Sequence, residues 1–213
     1  MGIPSYFMQI VRKYPQVIKA FASMHPSFVV DHLYLDCNSV IYAAYHELSK
    51  GRELPPSAAP DIIRLVCSKL DEYIHLIQPQ KSVFIAFDGV APAAKLEQQR
   101  GRRFKTNYQQ RMFERIRNLG IKNEATRTSI DADTWTTTAI TPGTKFMHDL
   151  GENVHSHYAK SRLVTVSASD EYGEGEHKIF EHIRSNPLKH ADACTVIYGL
   201  DADLIMLSIN HLR

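Results

Sequence analysis

Four short runs of aliphatic, aromatic and β-branched residues divide the chain, and each is apolar continuously rather than at alternate positions. Such runs are typical of strands that are buried on both faces of a parallel sheet. Between them lie segments with apolar residues three or four positions apart, the periodicity of amphipathic helices. This alternation predicts an α/β fold with a mostly parallel central sheet flanked by helices. The predicted strands are His32–Leu35, Val83–Phe87, Leu163–Val166 and Thr195–Tyr198.

Three helices follow from the same periodicity. One covers 61–77 with Asp61 as its N-cap, one begins at Pro142 and runs to about Val154, and one covers Gly175–Arg184. Segments rich in Pro, Ser, Thr, Asp or Ala predict loops at 51–60 and 122–141.

The length of 213 residues, with 44% hydrophobic and 23% charged residues, predicts a single domain over 1–213. The three cysteines are too far apart for a disulfide framework or a CxxC zinc site, and Cys37 is expected to be a small buried residue. There is no run of ~20 apolar residues and no signal-peptide pattern. We therefore expect a soluble intracellular protein of the cytoplasm or nucleus, with a virion as a further possibility.

Charge is unevenly distributed, although the net charge is only +2. Between Lys95 and Arg127 there are ten basic and three acidic residues, a local balance of 10 − 3 = +7. This imbalance predicts a basic helical arm at about 91–122, set into an acidic remainder.

Acidic residues follow each of the four predicted strands. Ligands of open parallel sheets bind at the carboxyl ends of the strands, so these side chains are expected to meet in one crevice. They are Asp36, Asp88, Glu174, Glu176, Asp201 and Asp203. Asp201 and Asp203, two positions apart in an extended stretch, would project to the same side.

Six carboxylates in one place require cations to neutralise them. Oxygen ligands with few His or Cys competitors select Mg²⁺ or Mn²⁺, and two such ions ~4 Å apart favour displacement at phosphorus. Singly, each acid has a simpler interpretation as a helix cap, a turn residue or a partner of a helix dipole. Together these alternatives are weaker, because Asn or Ser would cap a helix equally well.

The basic arm contains residues that could bind a phosphate beside the metal ions. Arg binds phosphate oxygens bidentately, and Lys provides a point charge. The candidates are Lys95, Gln99, Arg102 and Arg103. The alternative is an ordinary solvated helix face. For two other residues we favour structural roles: local packing for Trp135, and a helix-surface or packing position for His177.

Several longer segments resemble the Xrn-type 5′→3′ exoribonucleases, and they follow the order found in that family. They are MGIPSYF at Met1, LYLDCNSVIY at Leu33, AFDGVAPAAKLEQQRGRRF at Ala86, ITPGTKFM at Ile140, GEGEHKI at Gly173 and YGLDADLIML at Tyr198. The resemblance implies a PIN- or flap-nuclease-like fold. It also implies a two-metal hydrolase that degrades RNA from a 5′-monophosphate end to mononucleotides, with the six acids as metal ligands. The same resemblance makes Lys95, Gln99, Arg102 and Arg103 the pocket for the terminal phosphate.

Two features depart from that family. Tyr42 stands where the family usually has a His that stacks on the first base, and an aromatic ring there can still stack at ~1–3 kcal/mol per base. Family members also continue well past residue 213, so we expect a fragment, a minimal relative or a subunit completed by a second polypeptide. The alternative functions are a catalytically silent domain that binds RNA or protein, and a flap-endonuclease-like DNA nuclease.

Overall fold

The fold is a parallel four-stranded sheet with helices on both faces, as predicted. The computed structural model describes residues 5–21, 28–93, 95–97, 100–101, 104–105, 108–109, 111–112, 115 and 135–211. The strands are β1 (His32–Asp36), β2 (Ser82–Ala86), β3 (Val164–Ser167) and β4 (Thr195–Tyr198), paired in the order β3-β2-β1-β4. Each lies within one residue of its predicted bounds.

Seven α-helices have both of their ends within the described residues. They are α1 (Tyr6–Lys13), α2 (Asn38–Ser49), α3 (Ala59–Ile77), α4 (Lys145–Tyr158), α5 (Gly175–Ser185), α6 (Pro187–His190) and α7 (Asp203–His211). Short 3₁₀ turns lie at Pro15–Val17, Pro56–Ala58 and Thr137–Ala139. Of the predicted basic arm, the described residues 93, 95–97, 100–101, 104–105, 108–109, 111–112 and 115 are helical.

The two central strands, β1 and β2, are apolar at consecutive positions because both of their faces are covered. Leu33 and Leu35 of β1 pack with α2, α3 and α4 on one face of the sheet. Tyr34, between them, points to the other face, where it packs with Ile179 and Phe180 of α5 and with α7. Side chains of successive strand residues point to opposite faces, so two helical layers require apolar residues at both.

The strand order places a change of direction between β1 and β4. The chain moves from β1 to β2 to β3 in one direction, then crosses by α5 and α6 to put β4 on the far side of β1. The crossovers before β3 use helices on the first face, and this last one uses the second face. In such sheets a crevice opens at the carboxyl ends of the two strands that flank the change.

Two predicted helix starts need correction. Helix α3 begins at Ala59, so Asp61 lies in its first turn and is not the N-cap. Helix α4 begins at Lys145 rather than at Pro142. Gly143 has a positive φ of 85°, which interrupts the helix, and the Thr144 hydroxyl then caps it by accepting the Met147 N–H at 3.3 Å.

The predicted packing roles of Trp135 and Cys37 are confirmed. Trp135 is 8% exposed, its ring lies 5.1 Å from Tyr45 and 5.2 Å from Phe146, and its backbone bridges to Leu54. Cys37 is fully buried in the core beside β1. Within the described ranges, no helix is both long and apolar enough to span a membrane.

Candidate metal centre

All six predicted acids lie at the carboxyl edge of the sheet. Asp36 is the last residue of β1, and Asp88 comes two residues after β2. Glu174 precedes α5 and Glu176 lies in its first turn, after the loop that leaves β3. Asp201 follows β4, and Asp203 is the first residue of α7. The parallel pairing of the four strands therefore delivers the acids to one edge.

Gly175 lies between the first two carboxylates. Its backbone N–H donates a hydrogen bond of 2.7 Å to Asp88 Oδ1. A Cβ on Gly175 would collide with Asp36 Oδ1, so glycine lets α5 begin this close to β1 without displacing the Asp36 carboxylate. Asn38 holds Asp88 from the other side, with its amide N–H donating to Asp88 Oδ2 at 2.5 Å and its amide oxygen accepting the Asp88 N–H at 3.1 Å.

Glu176 joins two groups of potential ligand atoms. Its carboxylate lies within 4.8 Å of the carboxylates of Asp201 and Asp203, and within the same distance of ligand atoms of Glu174 and His177. Asp201 and Asp203 do meet, but not in the extended stretch that was expected. Asp203 begins a helix, and its N–H donates to Asp201 Oδ1 at 3.0 Å, so Asp201 also caps that helix.

Among the described residues of the basic arm, Lys95 contacts two of the six acids. Its ammonium donates to Glu174 Oε2 and lies 3.6 Å from Glu176 Oε1. His177 is on the helix surface, with 55% of its side chain exposed, and its Nδ1 lies 3.6 Å from oxygens of the same two glutamates. The Lys95 ammonium partly offsets the negative charge of the crevice.

Burial and mutual repulsion raise the pKa values of three of the acids. Burial, together with the charges of Asp88, Glu176 and Asp201, raises the pKa of Asp36 to about 7. Burial likewise raises the pKa of Asp88 and of Glu176, although Lys95 opposes both changes. The negative charge of this site is therefore incompletely compensated by the side chains that surround it.

The donor set suits a hard divalent cation. Asp36 Oδ1 is buried and has no hydrogen-bond partner among the described residues, and a buried carboxylate oxygen without a partner is costly. Carboxylates supply the oxygen ligands that Mg²⁺ and Mn²⁺ prefer. The charges of Asp88, Glu176 and Asp201 each raise the pKa of Asp36, so these carboxylates lie within electrostatic range of Asp36.

Comparison with known proteins identifies the family. The family model described as "XRN 5′-3′ exonuclease N-terminus" matches residues 1–212. The chain belongs to the XRN 5′–3′ exonuclease family.

Proteins named "5′-3′ exoribonuclease 2" from Emericella nidulans and Candida glabrata are 32% and 33% identical to it, over 249 and 244 residues. The Saccharomyces cerevisiae protein of that name is 32% identical over 253 residues. Each alignment covers 98% of this chain and 24% of the relative, so the chain spans about a quarter of the length of these XRN proteins.

The predicted phosphate pocket of this XRN chain is described at one residue only. Lys95 lies beside Glu174 and Glu176, two of the predicted metal ligands. Gln99, Arg102 and Arg103 lie outside the described residues. Tyr42, the predicted stacking residue, lies on the second turn of α2 with 40% of its surface exposed.

Two residues at the site were missed by sequence reasoning. Asn38 follows Asp36 by two positions and holds Asp88, a contact between residues 50 positions apart. Lys178 is buried in α5 and contacts the ends of two strands. The one available signal for Lys178 was a charged residue beside the apolar positions Ile179 and Phe180.

Proposed function

We propose that this chain forms the catalytic centre of a metal-dependent 5′→3′ exoribonuclease, which hydrolyses RNA from a 5′-monophosphate end to mononucleotides. The observation that carries this proposal is the convergence of six acidic side chains at the change of strand direction. It is supported by membership of the XRN family and by relatives named exoribonucleases.

The six acids would hold two divalent ions, Mg²⁺ or Mn²⁺. Such ions supply a more acidic bound water as nucleophile and charge stabilisation for the departing oxygen. Glu174 and Glu176 would provide buried ligands. Asp36, Asp88 and Asp203 would provide partly buried ligands, and Asp201 an exposed one. Asn38 and the Gly175 N–H fix the Asp88 carboxylate, so that it keeps its orientation without an ion.

Lys95 would bind the terminal 5′-phosphate. Its ammonium already lies against Glu174 and Glu176, so a phosphate oxygen above these acids is within reach of the same side chain. With Gln99, Arg102 and Arg103 on the same arm, the pocket would favour one phosphate over a cap or a triphosphate. Because phosphate contacts carry no sequence information, we expect little RNA sequence preference.

The test is degradation of a radiolabelled RNA with a 5′-monophosphate in the presence of Mg²⁺ or Mn²⁺. We expect labelled mononucleotides, none of them in EDTA, and slower degradation of the same RNA with a 5′-hydroxyl. Asp201→Ala/Asp203→Ala should lower the rate by orders of magnitude and leave RNA binding largely intact. Glu72→Ala, an exposed acid on α3, is the matched control and should keep the wild-type rate.

Three outcomes would contradict this function. If the double variant degrades RNA as fast as the wild type, the assignment of the metal ligands is wrong. If the wild type binds Mn²⁺ and RNA but yields no product, the domain is a silent binding module. If it cleaves branched DNA and not RNA, it is a flap-type nuclease.

A further inference from the structure

Lys178 is a buried lysine on the helix that carries Glu176. It is 8% exposed and lies two residues after Glu176 on α5. Its ammonium donates one hydrogen bond of 2.9 Å to the Phe87 carbonyl and another of 2.7 Å to the Ala168 carbonyl. A lysine is rarely buried unless its charge has specific partners, so these contacts call for an explanation.

The two carbonyls mark the ends of neighbouring strands. Phe87 follows β2 and precedes Asp88, and Ala168 follows β3. Pairing of the two strands extends to the hydrogen bond from the Phe87 N–H to the Ser167 carbonyl, at 2.9 Å. Just beyond this bond, Lys178 bridges the ends of β2 and β3 and connects them to α5.

The loop that leads to Glu174 is held at the same place. The Gly89 N–H donates to the Gly173 carbonyl at 2.8 Å, and the Gly173 N–H donates to the Val90 carbonyl at 3.0 Å. Gly173 has a φ of 102°, and the Lys178 stem packs against it, with Cγ 3.6 Å from the position of an added Cβ. The lysine therefore lies beside the segment immediately before Glu174 and binds the residue immediately before Asp88.

The charge of the ammonium also faces the acids of this edge. Asp88, Glu171 and Asp170 are the carboxylates whose charges act on it. Its hydrogen bonds go to backbone carbonyls and not to the predicted metal ligands. Its effect on the metal centre is thus transmitted through the backbone and through the field at Asp88.

We propose that Lys178 is a positioning residue of the metal centre. It holds the ends of β2 and β3 to α5, and so sets the spacing between Asp88 and the pair formed by Glu174 and Glu176. This inference rests on the proposed function for its catalytic consequence, but the spacing itself does not depend on turnover.

The test compares Lys178→Met, which keeps the length of the stem and removes the ammonium, with Lys178→Gln and Lys178→Arg. We expect Lys178→Met to raise the Mn²⁺ concentration for half-maximal thermal stabilisation by about 10–100-fold, the usual cost of losing a group that orients metal ligands. With RNA, kcat at a fixed subsaturating Mn²⁺ concentration should fall while KM changes little. Lys178→Gln should shift the Mn²⁺ midpoint less, and Lys178→Arg should recover part of the wild-type value.

Lys69→Met is the control variant. Lys69 lies on α3, its side chain is only 17% exposed, and it forms an ion pair of 2.6 Å with Glu47 of α2. The variant removes a partly buried lysine that bridges α2 and α3 and is not part of the candidate metal centre. The variant should keep the wild-type Mn²⁺ midpoint even if its melting temperature falls.

Hydrogen exchange provides a readout without metal or RNA. In Lys178→Met, backbone amides of 87–90 and 168–175 should exchange at least about tenfold faster than in the wild type, and they should not do so in Lys69→Met.

If the wild type proves inactive, the proposed function fails but this measurement still decides the positioning role. An unchanged Mn²⁺ midpoint in Lys178→Met would overturn the inference, even if the variant melts earlier. If Lys178→Met does not fold, an unchanged midpoint in Lys178→Gln would overturn it equally.

Discussion

Removing the charge of Asp36 should stabilise the metal-free protein. Burial, together with three neighbouring carboxylates, raises the pKa of Asp36 from its ordinary 3.8 to about 7. At about 1.4 kcal/mol for each tenfold change in proton affinity, ionising this group at pH 8 costs the fold roughly 4 kcal/mol. The change that tests this cost is Asp36→Asn, which keeps the shape of the side chain and removes the charge.

The expected gain is smaller than the full cost of ionisation. Asp36 Oδ1 is buried without a partner, and a buried Asn amide in its place loses about 1–3 kcal/mol of its own hydration. The net increase in the free energy of unfolding is therefore about 2 kcal/mol. For a chain of this size, that increase corresponds to a melting temperature about 4–8 °C higher.

The sign of the pH dependence follows from the raised pKa. Because the folded protein holds this proton more tightly than the unfolded chain does, the contribution of Asp36 to stability becomes less favourable as the pH rises from about 4 towards 7. Above about pH 7 the full cost of ionising Asp36 is present. The advantage of Asp36→Asn should therefore be large at pH 8 and small or reversed at pH 5.

The assay is urea unfolding in EDTA at both pH values, with Glu72→Gln as the control. Glu72 is an exposed acid on α3, so its neutralisation should change the free energy of unfolding little at either pH. Our account of the crowded carboxylates fails if Asp36→Asn is no more stable than the wild type at pH 8, or if its gain is the same at pH 5.

Three further predictions concern other parts of the fold. Burial lowers the pKa of His182 in the folded protein. The stability that His182 confers is therefore present above the pKa of the unfolded chain, near 6.5, and is lost as the pH falls below that pKa. His182→Phe, which preserves the stack on Phe84, should flatten the decline in melting temperature between pH 7 and pH 5, and an unchanged decline would contradict this reasoning. Gly175→Ala should weaken Mn²⁺-dependent thermal stabilisation, because the new methyl group collides with Asp36 Oδ1; a wild-type Mn²⁺ response would show that α5 can shift freely. Trp135→Ala should lower the free energy of unfolding by about 3–5 kcal/mol in denaturant titrations, and a loss below about 1 kcal/mol would show that Trp135 is not part of the core.

The strands and the edge at which the acids meet could be predicted from the sequence. Leu33 to Leu35 are apolar at every position because helices cover both faces of β1, and this pattern is visible without a structure. Parallel sheets bind their ligands at the carboxyl ends of the strands. This rule predicts that Asp36 and Asp201 lie at the same edge. Both inferences use local patterns and one general rule of topology.

The supporting contacts could not be predicted in the same way. Lys178 reaches the Phe87 carbonyl across 91 positions, and Asn38 reaches Asp88 across 50. Neither pairing leaves a periodic signal in the sequence. The start of α4 was misplaced for a local reason, because the positive φ of Gly143 outweighs the preference of Pro142 for the first turn of a helix.

The most direct test of the account is the location of Mn²⁺ in crystals soaked with the ion, measured by anomalous diffraction at the manganese edge. We expect peaks at the carboxyl edge of the sheet, one of them about 2.0–2.4 Å from oxygens of Asp36 and Glu176. We also expect that Asp36→Asn crystals lose or weaken that peak. Manganese bound only at other surfaces, with none among these carboxylates, would contradict the central claim.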